Sequence, residues 1–196
     1  MQTPQKRVLA SFDGEGVYVF QAFSPEIVEY AVAQGTFGKG FGMDRMTWIK
    51  PSFGWMLHRS GYGTKQRQEA IARIHLRHEG FLSILEQAVS TSYDANQFAS
   101  EGEWALALKK SEVRVQWDPD RDLSDRKLDH RAIQLGLSGN TVHRYVREWI
   151  IGVEDVTALA HKIKDAVEEA RELPAVWEEK EYPVSPELAL RLGYDT

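Results

Sequence analysis

The stretch Arg45-Met-Thr-Trp-Ile-Lys-Pro-Ser-Phe-Gly-Trp-Met-Leu-His-Arg-Ser-Gly-Tyr-Gly63 places large aromatic rings among basic side chains. A loop that only had to stay soluble would not carry so many rings, and a segment that only built core would not carry so many cations. Cations attract phosphate, and rings stack on a nucleobase or a nicotinamide. The combination is therefore typical of a cleft that binds an anionic, partly aromatic ligand such as a nucleotide.

Local geometry within this stretch can be predicted from a few residues. Pro51 cannot lie inside a helix and pushes the preceding residue toward extended backbone, so we expect residues 46–50 to be extended. Ser52 then caps a helix that runs to about Arg59 and ends at Gly61. A strand-to-helix junction with a hydroxyl and free backbone N–H groups is a natural anion site.

A purely structural interpretation of the same residues stays open. In that interpretation Trp48 and Trp55 belong to the core, Arg59 lies on a solvated helix face, and Lys65 is an ordinary surface residue. Each of these residues taken alone fits the structural role well. Only the clustering of all of them in one stretch favours a binding site.

Composition limits the classes of protein that fit. The chain has 196 residues, 42% of them hydrophobic and 27% charged, which suits one soluble globular domain. The net charge of −5 provides no global basic field, so any site for nucleic acid must be local.

Cysteine is absent, which excludes disulfides and thiolate chemistry and fits a cytoplasmic location. No apolar run approaches the roughly 20 residues that span a bilayer, so we expect no membrane partner.

The order of apolar patterns predicts an α+β fold. Strands are expected at residues 17–23, 70–76, 113–117, 131–137 and 148–153, with helices between them and a turn at 118–122. We predict a single domain over residues 1–173, with a mixed, mostly antiparallel sheet that is bent or split and carries flanking helices. Residues 45–63 should line the cleft of this sheet. Residues 174–196 form a tail that packs on the domain.

Two groups of possible metal ligands do not complete a site. His75 and His78 are three positions apart, but the chain there reads as a strand entering a turn, and a third ligand is not evident. Asp118, Asp120 and Asp122 resemble the start of a calcium loop, but the glycine and the glutamate that such a loop requires are missing. We therefore predict no metal.

The run Arg45-Met-Thr-Trp-Ile-Lys-Pro-Ser-Phe53 resembles a family known as domain of unknown function number 4291. Three further segments support the resemblance: Val17-Tyr-Val-Phe-Gln-Ala-Phe23, Val113-Arg-Val-Gln-Trp-Asp-Pro119 and Glu148-Trp-Ile-Ile151. The resemblance covers roughly residues 7–157. The name of this family implies no activity.

More distantly, the order of segments is similar to that of ADP-ribosyltransferases. That resemblance implies NAD as cofactor and a catalytic glutamate, Glu148, at the start of the last strand. Gln21 or Ala22 stands where those enzymes carry Arg or His, so either Arg45, Arg59 or another cation replaces that residue in space, or NAD is not the cofactor. The implied cofactor-binding residues are Tyr18, Gln21, Arg45, Thr47, Trp48, Lys50, Ser52, Trp55 and Arg59.

Two functional hypotheses follow from these observations. In the first, the protein is an ADP-ribosyltransferase-like enzyme in which Glu148 stabilises an oxocarbenium-like transition state, and the acceptor is a protein, a nucleic acid or a small molecule. In the second, it is a non-catalytic module that binds a nucleotide or single-stranded RNA through the same rings and cations. Glu148 separates the two hypotheses, because only the enzyme requires it.

Overall fold

The computed structural model describes residues 5–194, which form strands and helices interspersed along the chain. The strands are β1 (Gln5–Lys6), β2 (Leu9–Ala10), β3 (Gly16–Phe23), β4 (Thr47–Ile49), β5 (Ala70–Arg77), β6 (Ala88–Ser90), β7 (Val113–Arg121), β8 (Lys127–Leu137), β9 (Ile150–Asp155) and β10 (Lys180–Glu181). The helices are α1 (Pro25–Gln34), α2 (Phe53–Ser60), α3 (His78–Gln87), α4 (Glu101–Lys110), α5 (Gly139–Arg144), a π-helical turn (Tyr145–Trp149), α6 (Thr157–Glu168) and α7 (Pro186–Arg191). The predicted α+β class is confirmed.

The larger sheet is organised around β8. Strand β7 pairs antiparallel with β8, and β6 pairs parallel with β7 on the far side. The other edge of β8 is shared by two strands: β4 pairs antiparallel with residues 135–137, and β1 pairs parallel with residues 130–131. The sheet is therefore mixed, with the strand of the 45–63 stretch at its edge.

A smaller, antiparallel sheet contains β3, β5 and β9 in that order. The two sheets meet where the chain leaves β4: the N–H of Lys50 donates to the carbonyl of Phe20 at 3.1 Å, and the N–H of Phe20 donates to the carbonyl of Lys50 at 2.7 Å. Lys50 thus joins the edge of the larger sheet to β3. This pairing brings the residues of β3 close to those of β4.

Apolar burial explains how the sheets are held together. One core lies between them and includes Val19 and Ile74 from the smaller sheet and Val115 and Leu135 from the larger one. Helices α1 and α3 contribute to the same core. A second core on the other face of the smaller sheet is formed with α2 and α6, and Phe20, Phe53, Met56, Leu57, Ile71, Ala160 and Ile163 are buried there.

Helix α2 forms where the local sequence predicts it. The hydroxyl of Ser52 accepts a hydrogen bond from the backbone N–H of Trp55 at 3.1 Å, which caps the helix. Gly61, with φ of +58°, ends it. A Cβ atom at Gly54 would lie 1.9 Å from the carbonyl oxygen of Arg121, so α2 can approach β7 this closely only because residue 54 is glycine.

Two predicted elements are wrong. The turn expected at residues 118–122 is the end of β7, which continues to Arg121, and the turn lies beyond it. The ladder is irregular between Pro119 and Arg121, which is the kind of position where a strand tolerates proline. The strand expected from Glu148 begins at Ile150, because Glu148 and Trp149 belong to the π-helical turn.

The C-terminal segment contacts the rest of the fold at several points. Strand β10 pairs with β2, and Tyr182 is buried. The ring of Trp177 lies 5.6 Å from that of Phe53 and covers the guanidinium of Arg73 at 4.0 Å. Residues 1–4 of the predicted domain and 195–196 of the predicted tail lie outside the described range. Within that range, no helix combines the length and the apolar character that crossing a membrane requires.

Candidate functional site

Two adjoining cavities open beside the 45–63 stretch. The first, which we call the β3 cavity, has a volume of about 220 Å³ and lies between β3 and the segment that leads into β4. The second, which we call the α2 cavity, has a volume of about 530 Å³ and lies between α2 and the β7–β8 ladder. Trp48, Lys50 and Gln68 line both cavities, so the two adjoin along these residues, and we refer to them together as the cleft.

Most of the residues predicted to bind a cofactor lie in this cleft. Gln21, Arg45 and Thr47 line the β3 cavity. Trp55 and Arg59 line the α2 cavity. Trp48 and Lys50 line both cavities. The tertiary structure therefore brings Trp48, Trp55 and the cations Arg45, Lys50 and Arg59 to adjoining cavities, together with Gln21 of β3.

Tyr18 and Ser52 line neither cavity. The ring of Tyr18 stacks on that of His75 with their centroids 4.2 Å apart, and Cζ of the Arg73 guanidinium lies 3.5 Å from the centroid of the Tyr18 ring. The Ser52 hydroxyl caps α2 and donates to Asp120 at 2.7 Å. Both side chains are engaged in contacts within the fold.

Glu148 also lies outside both cavities. Its side chain is exposed, and a carboxylate oxygen accepts a 3.0 Å hydrogen bond from Nε of Arg144 one helical turn earlier. The apolar run after Glu148 reads as a strand, but Trp149 packs against Gly80 of α3, where a Cβ atom would lie 2.3 Å from the indole. Glu148 and Trp149 therefore lie in the π-helical turn and not in a strand.

Lys50 is the most unusual charge in the cleft. Only 6% of its surface is exposed, and its ammonium donates to the carbonyl of Trp48 at 3.3 Å. The pKa of Lys50 is lowered to about 8, chiefly by burial and also by the positive charge of Arg59, while the negative charge of Asp118 partly opposes the shift. Within residues 5–194 the Lys50 ammonium forms no ion pair of 4.0 Å or less.

Gln21 holds β3, β4 and the π-helical turn together. Its amide nitrogen donates to the Thr47 hydroxyl at 2.7 Å and to the carbonyl of Trp48 at 3.2 Å. Its amide oxygen accepts from the hydroxyl of Tyr145 at 2.7 Å, and complete burial raises the pKa of Tyr145 well above its ordinary value. The side chain that β3 contributes here is uncharged and hydrogen-bonded on both sides of its amide, and the cations of the β3 cavity are Arg45 and Lys50.

Sequence reasoning missed most of the polar floor of the α2 cavity. Gln116, Asp118 and Gln134 line it on neighbouring strands. Gln116 shares a strand face with Arg114, a pattern that fits a cleft but fits the solvated face of an antiparallel sheet equally well, so it did not identify Gln116 as a site residue. Asp118 was placed in a turn, and Gln134 lies in a run that is otherwise apolar, so neither had a usable local signal.

The predicted anion site at the N-terminus of α2 is filled by the protein itself. A carboxylate oxygen of Glu179 accepts a 2.7 Å hydrogen bond from the backbone N–H of Phe53. The pKa of Glu179 is raised to about 8, chiefly by burial and also by the nearby charge of Asp120, against the lowering effect of this hydrogen bond. Glu179 is far from Phe53 in sequence, so no local pattern indicated this contact.

Comparison with known families places the chain. The family described as "Domain of unknown function (DUF4291)" matches residues 7–182, which is most of the chain, and the chain belongs to this family. The match extends beyond the 7–157 range expected from the motifs and includes β10. A search of curated proteins finds no match.

Proposed function

We propose that this member of the DUF4291 family binds a nucleotide in the cleft formed by the β3 and α2 cavities. The observation that carries the proposal is the position of Trp48 and Lys50, which line both cavities. A nucleotide has an aromatic part and an anionic part that are covalently joined. A ring and a cation shared by two adjoining cavities match that arrangement.

The environment of Lys50 supports an anionic ligand. Removing an ammonium group from water is costly unless an opposite charge compensates. Lys50 is buried, and among the described residues it has a backbone carbonyl as hydrogen-bond partner and no ion pair. Arg45 and Arg59 add positive charge on either side. A bound phosphate would supply the missing counter-charge and accept charge-assisted hydrogen bonds.

The proposal is tested by isothermal titration of the full chain with AMP, NAD, ADP-ribose and a short single-stranded RNA. We expect at least one of these ligands to bind, with an affinity that falls as salt concentration rises because the phosphate contacts are screened. Preference for RNA over the free nucleotides would identify the cleft as a site for a strand. No heat of binding and no competition for any of the four ligands would refute the proposal.

ADP-ribosyl transfer from NAD is a second candidate, and the position of Asp118 is the observation that favours it. Such a reaction needs a carboxylate near the ribose, because positive charge builds there as nicotinamide leaves. Asp118 lines the α2 cavity beside the cations, whereas Glu148 is exposed and paired with Arg144. The acceptor would be a protein, a nucleic acid or a small molecule.

Nicotinamide release from NAD, with and without candidate acceptors, tests this second candidate. If the carboxylate of Glu148 stabilises the transition state, Glu148→Gln lowers turnover by about 100-fold or more and leaves NAD affinity within a few-fold. If the carboxylate of Asp118 has that role, Asp118→Asn has this effect and Glu148→Gln does not. Equal turnover in both variants and the wild type would remove both residues from the mechanism. No nicotinamide release under any condition would leave the protein as a binding module.

A further inference from the structure

The α2 cavity contains a pair of amide side chains whose orientation is set by a carboxylate. Gln116 and Gln134 are direct partners in the antiparallel β7–β8 ladder, and both line the cavity. Side chains at such paired positions lie on the same face of the sheet, close to one another. Gln134 is only 8% exposed, so its amide is a buried polar group.

Asp118 decides which end of each amide is free. One carboxylate oxygen accepts from Nε2 of Gln116 at 3.0 Å, and the other accepts from Nε2 of Gln134 at 2.5 Å. An ionised carboxylate can only accept hydrogen bonds, so the nitrogen of each amide must face Asp118. Within residues 5–194 no donor bonds to the carbonyl oxygen of either glutamine. The pair therefore presents two acceptors that lack a protein partner.

We infer that the α2 cavity is a base-recognition subsite, and that it takes a nucleobase with an exocyclic amino group. The N–H groups of that base would donate to the carbonyl oxygens of Gln116 and Gln134, with Trp48 beside the ring. This inference rests on the proposed nucleotide-binding function and deepens it. Lys50 lies at the boundary with the β3 cavity, which leaves the phosphate next to the cations.

The same geometry rejects bases without an amino group. A base that presents a carbonyl to this position would set its lone pairs against those of the glutamine oxygens. A free glutamine would rotate its amide to offer a donor instead. Here that rotation would place the amide oxygen against the carboxylate of Asp118 and lose the hydrogen bond. A site whose polar groups cannot rearrange discriminates strongly against a ligand that leaves them unpaired.

The test compares AMP, GMP and IMP by competition binding to the full chain. IMP lacks the exocyclic amino group of AMP and that of GMP, and all three carry the same ribose phosphate. We expect AMP or GMP to bind at least about tenfold more tightly than IMP. Gln116→Leu and Gln134→Leu each remove one acceptor and should reduce the preference for AMP or GMP over IMP to within a few-fold. Asp118→Asn frees the amides to rotate and should reduce the same preference to a similar extent.

Gln66→Leu is the matched control, because Gln66 is exposed and lines neither cavity. This variant should prefer AMP or GMP over IMP as strongly as the wild type does. Equal affinity of the wild type for the three nucleotides would overturn the inference while leaving the proposed function in place. An undiminished preference in Gln116→Leu, Gln134→Leu and Asp118→Asn would overturn it as well. Absence of binding by all three nucleotides would overturn this inference, and the proposed function would fall with it only if NAD, ADP-ribose and the single-stranded RNA also failed to bind.

Discussion

The carboxyl group of Glu179 accepts a 2.7 Å hydrogen bond from the backbone N–H of Phe53, at the N-terminus of α2. Free N–H groups at such a position attract anions. Here the anion site is occupied by a residue of the C-terminal segment, and the Ser52 hydroxyl caps the same turn. In the proposed nucleotide complex, the phosphate would therefore be left to the side-chain cations Arg45, Lys50 and Arg59.

Replacing Glu179 should change how stability depends on pH. Its pKa is about 8 in the folded protein, compared with an ordinary value of 4.5. Between these values the folded state holds a proton that the unfolded state has released, so the free energy of unfolding falls as the pH rises from about 4.5 to 8. Glu179→Gln keeps an acceptor for Phe53 and should flatten this decline, making the variant more stable than the wild type at pH 9.

Urea unfolding at pH 5, 7 and 9 measures the effect of Glu179→Gln. Glu178→Gln is the matched control, because Glu178 is exposed and adjacent, and it should leave the pH dependence unchanged. Parallel pH profiles for the wild type and Glu179→Gln would contradict the account of the buried carboxyl group.

Lys50→Met should stabilise the protein at neutral pH and abolish nucleotide binding. The pKa of Lys50 is about 8 in the folded protein, compared with an ordinary value of 10.5. Between pH 8 and 10.5 the unfolded state therefore holds a proton that the folded state has released, so the free energy of unfolding rises with pH over this range. Below pH 8 the buried ammonium costs on the order of 3 kcal/mol, which methionine removes while keeping a similar shape. The measurements are thermal unfolding at pH 7 and ligand titration.

Lys162→Met serves as the control for Lys50→Met, because Lys162 is exposed on α6. It should change neither the free energy of unfolding nor the dissociation constant by much. A Lys50→Met variant that is less stable than the wild type and still binds nucleotide would show that Lys50 is a structural residue.

Arg59→Ala should weaken nucleotide binding without loss of folding stability. Arg59 is exposed at the end of α2 and lines the α2 cavity, so its side chain is free to contact a phosphate. A charge-assisted hydrogen bond is worth about 1.5–3 kcal/mol, which corresponds to roughly a 10- to 100-fold rise in the dissociation constant. Arg147→Ala makes the same change in net charge at an exposed residue outside the cleft. Equal affinities of the two variants would exclude a direct role for Arg59.

Gly54→Ala should destabilise the fold and disturb the cleft. The new methyl group would lie 1.9 Å from the carbonyl oxygen of Arg121, so α2 would have to move away from β7, at a cost of about 1–3 kcal/mol. Gly102→Ala in the exposed helix α4 meets no atom closer than 3.8 Å and should be neutral or stabilising by up to about 1 kcal/mol. Comparison of the two unfolding midpoints checks both expectations, and equal midpoints would contradict the close packing of α2.

The local features of the cleft were predictable because neighbouring residues determine them. Pro51 and Ser52 determine where α2 begins, and Gly61 determines where it ends, through steric limits and capping hydrogen bonds that involve only a few adjacent positions. The prediction for Glu148 failed for the opposite reason. The apolar residues after Glu148 suit a strand, but Glu148 and Trp149 lie in a π-helical turn. In that turn Trp149 packs on Gly80, a contact between distant parts of the chain.

The sequence by itself determined the α+β class, the form of α2, and the concentration of rings and cations in residues 45–63. Only the tertiary structure decided what those residues face. Lys50 meets β3 through its pairing with Phe20, Asp118 orients Gln116 and Gln134, and Glu179 closes the N-terminus of α2. The Lys50, Gln134 and Glu179 contacts join residues far apart in the chain, and they form only once strand register and core packing have brought distant segments together.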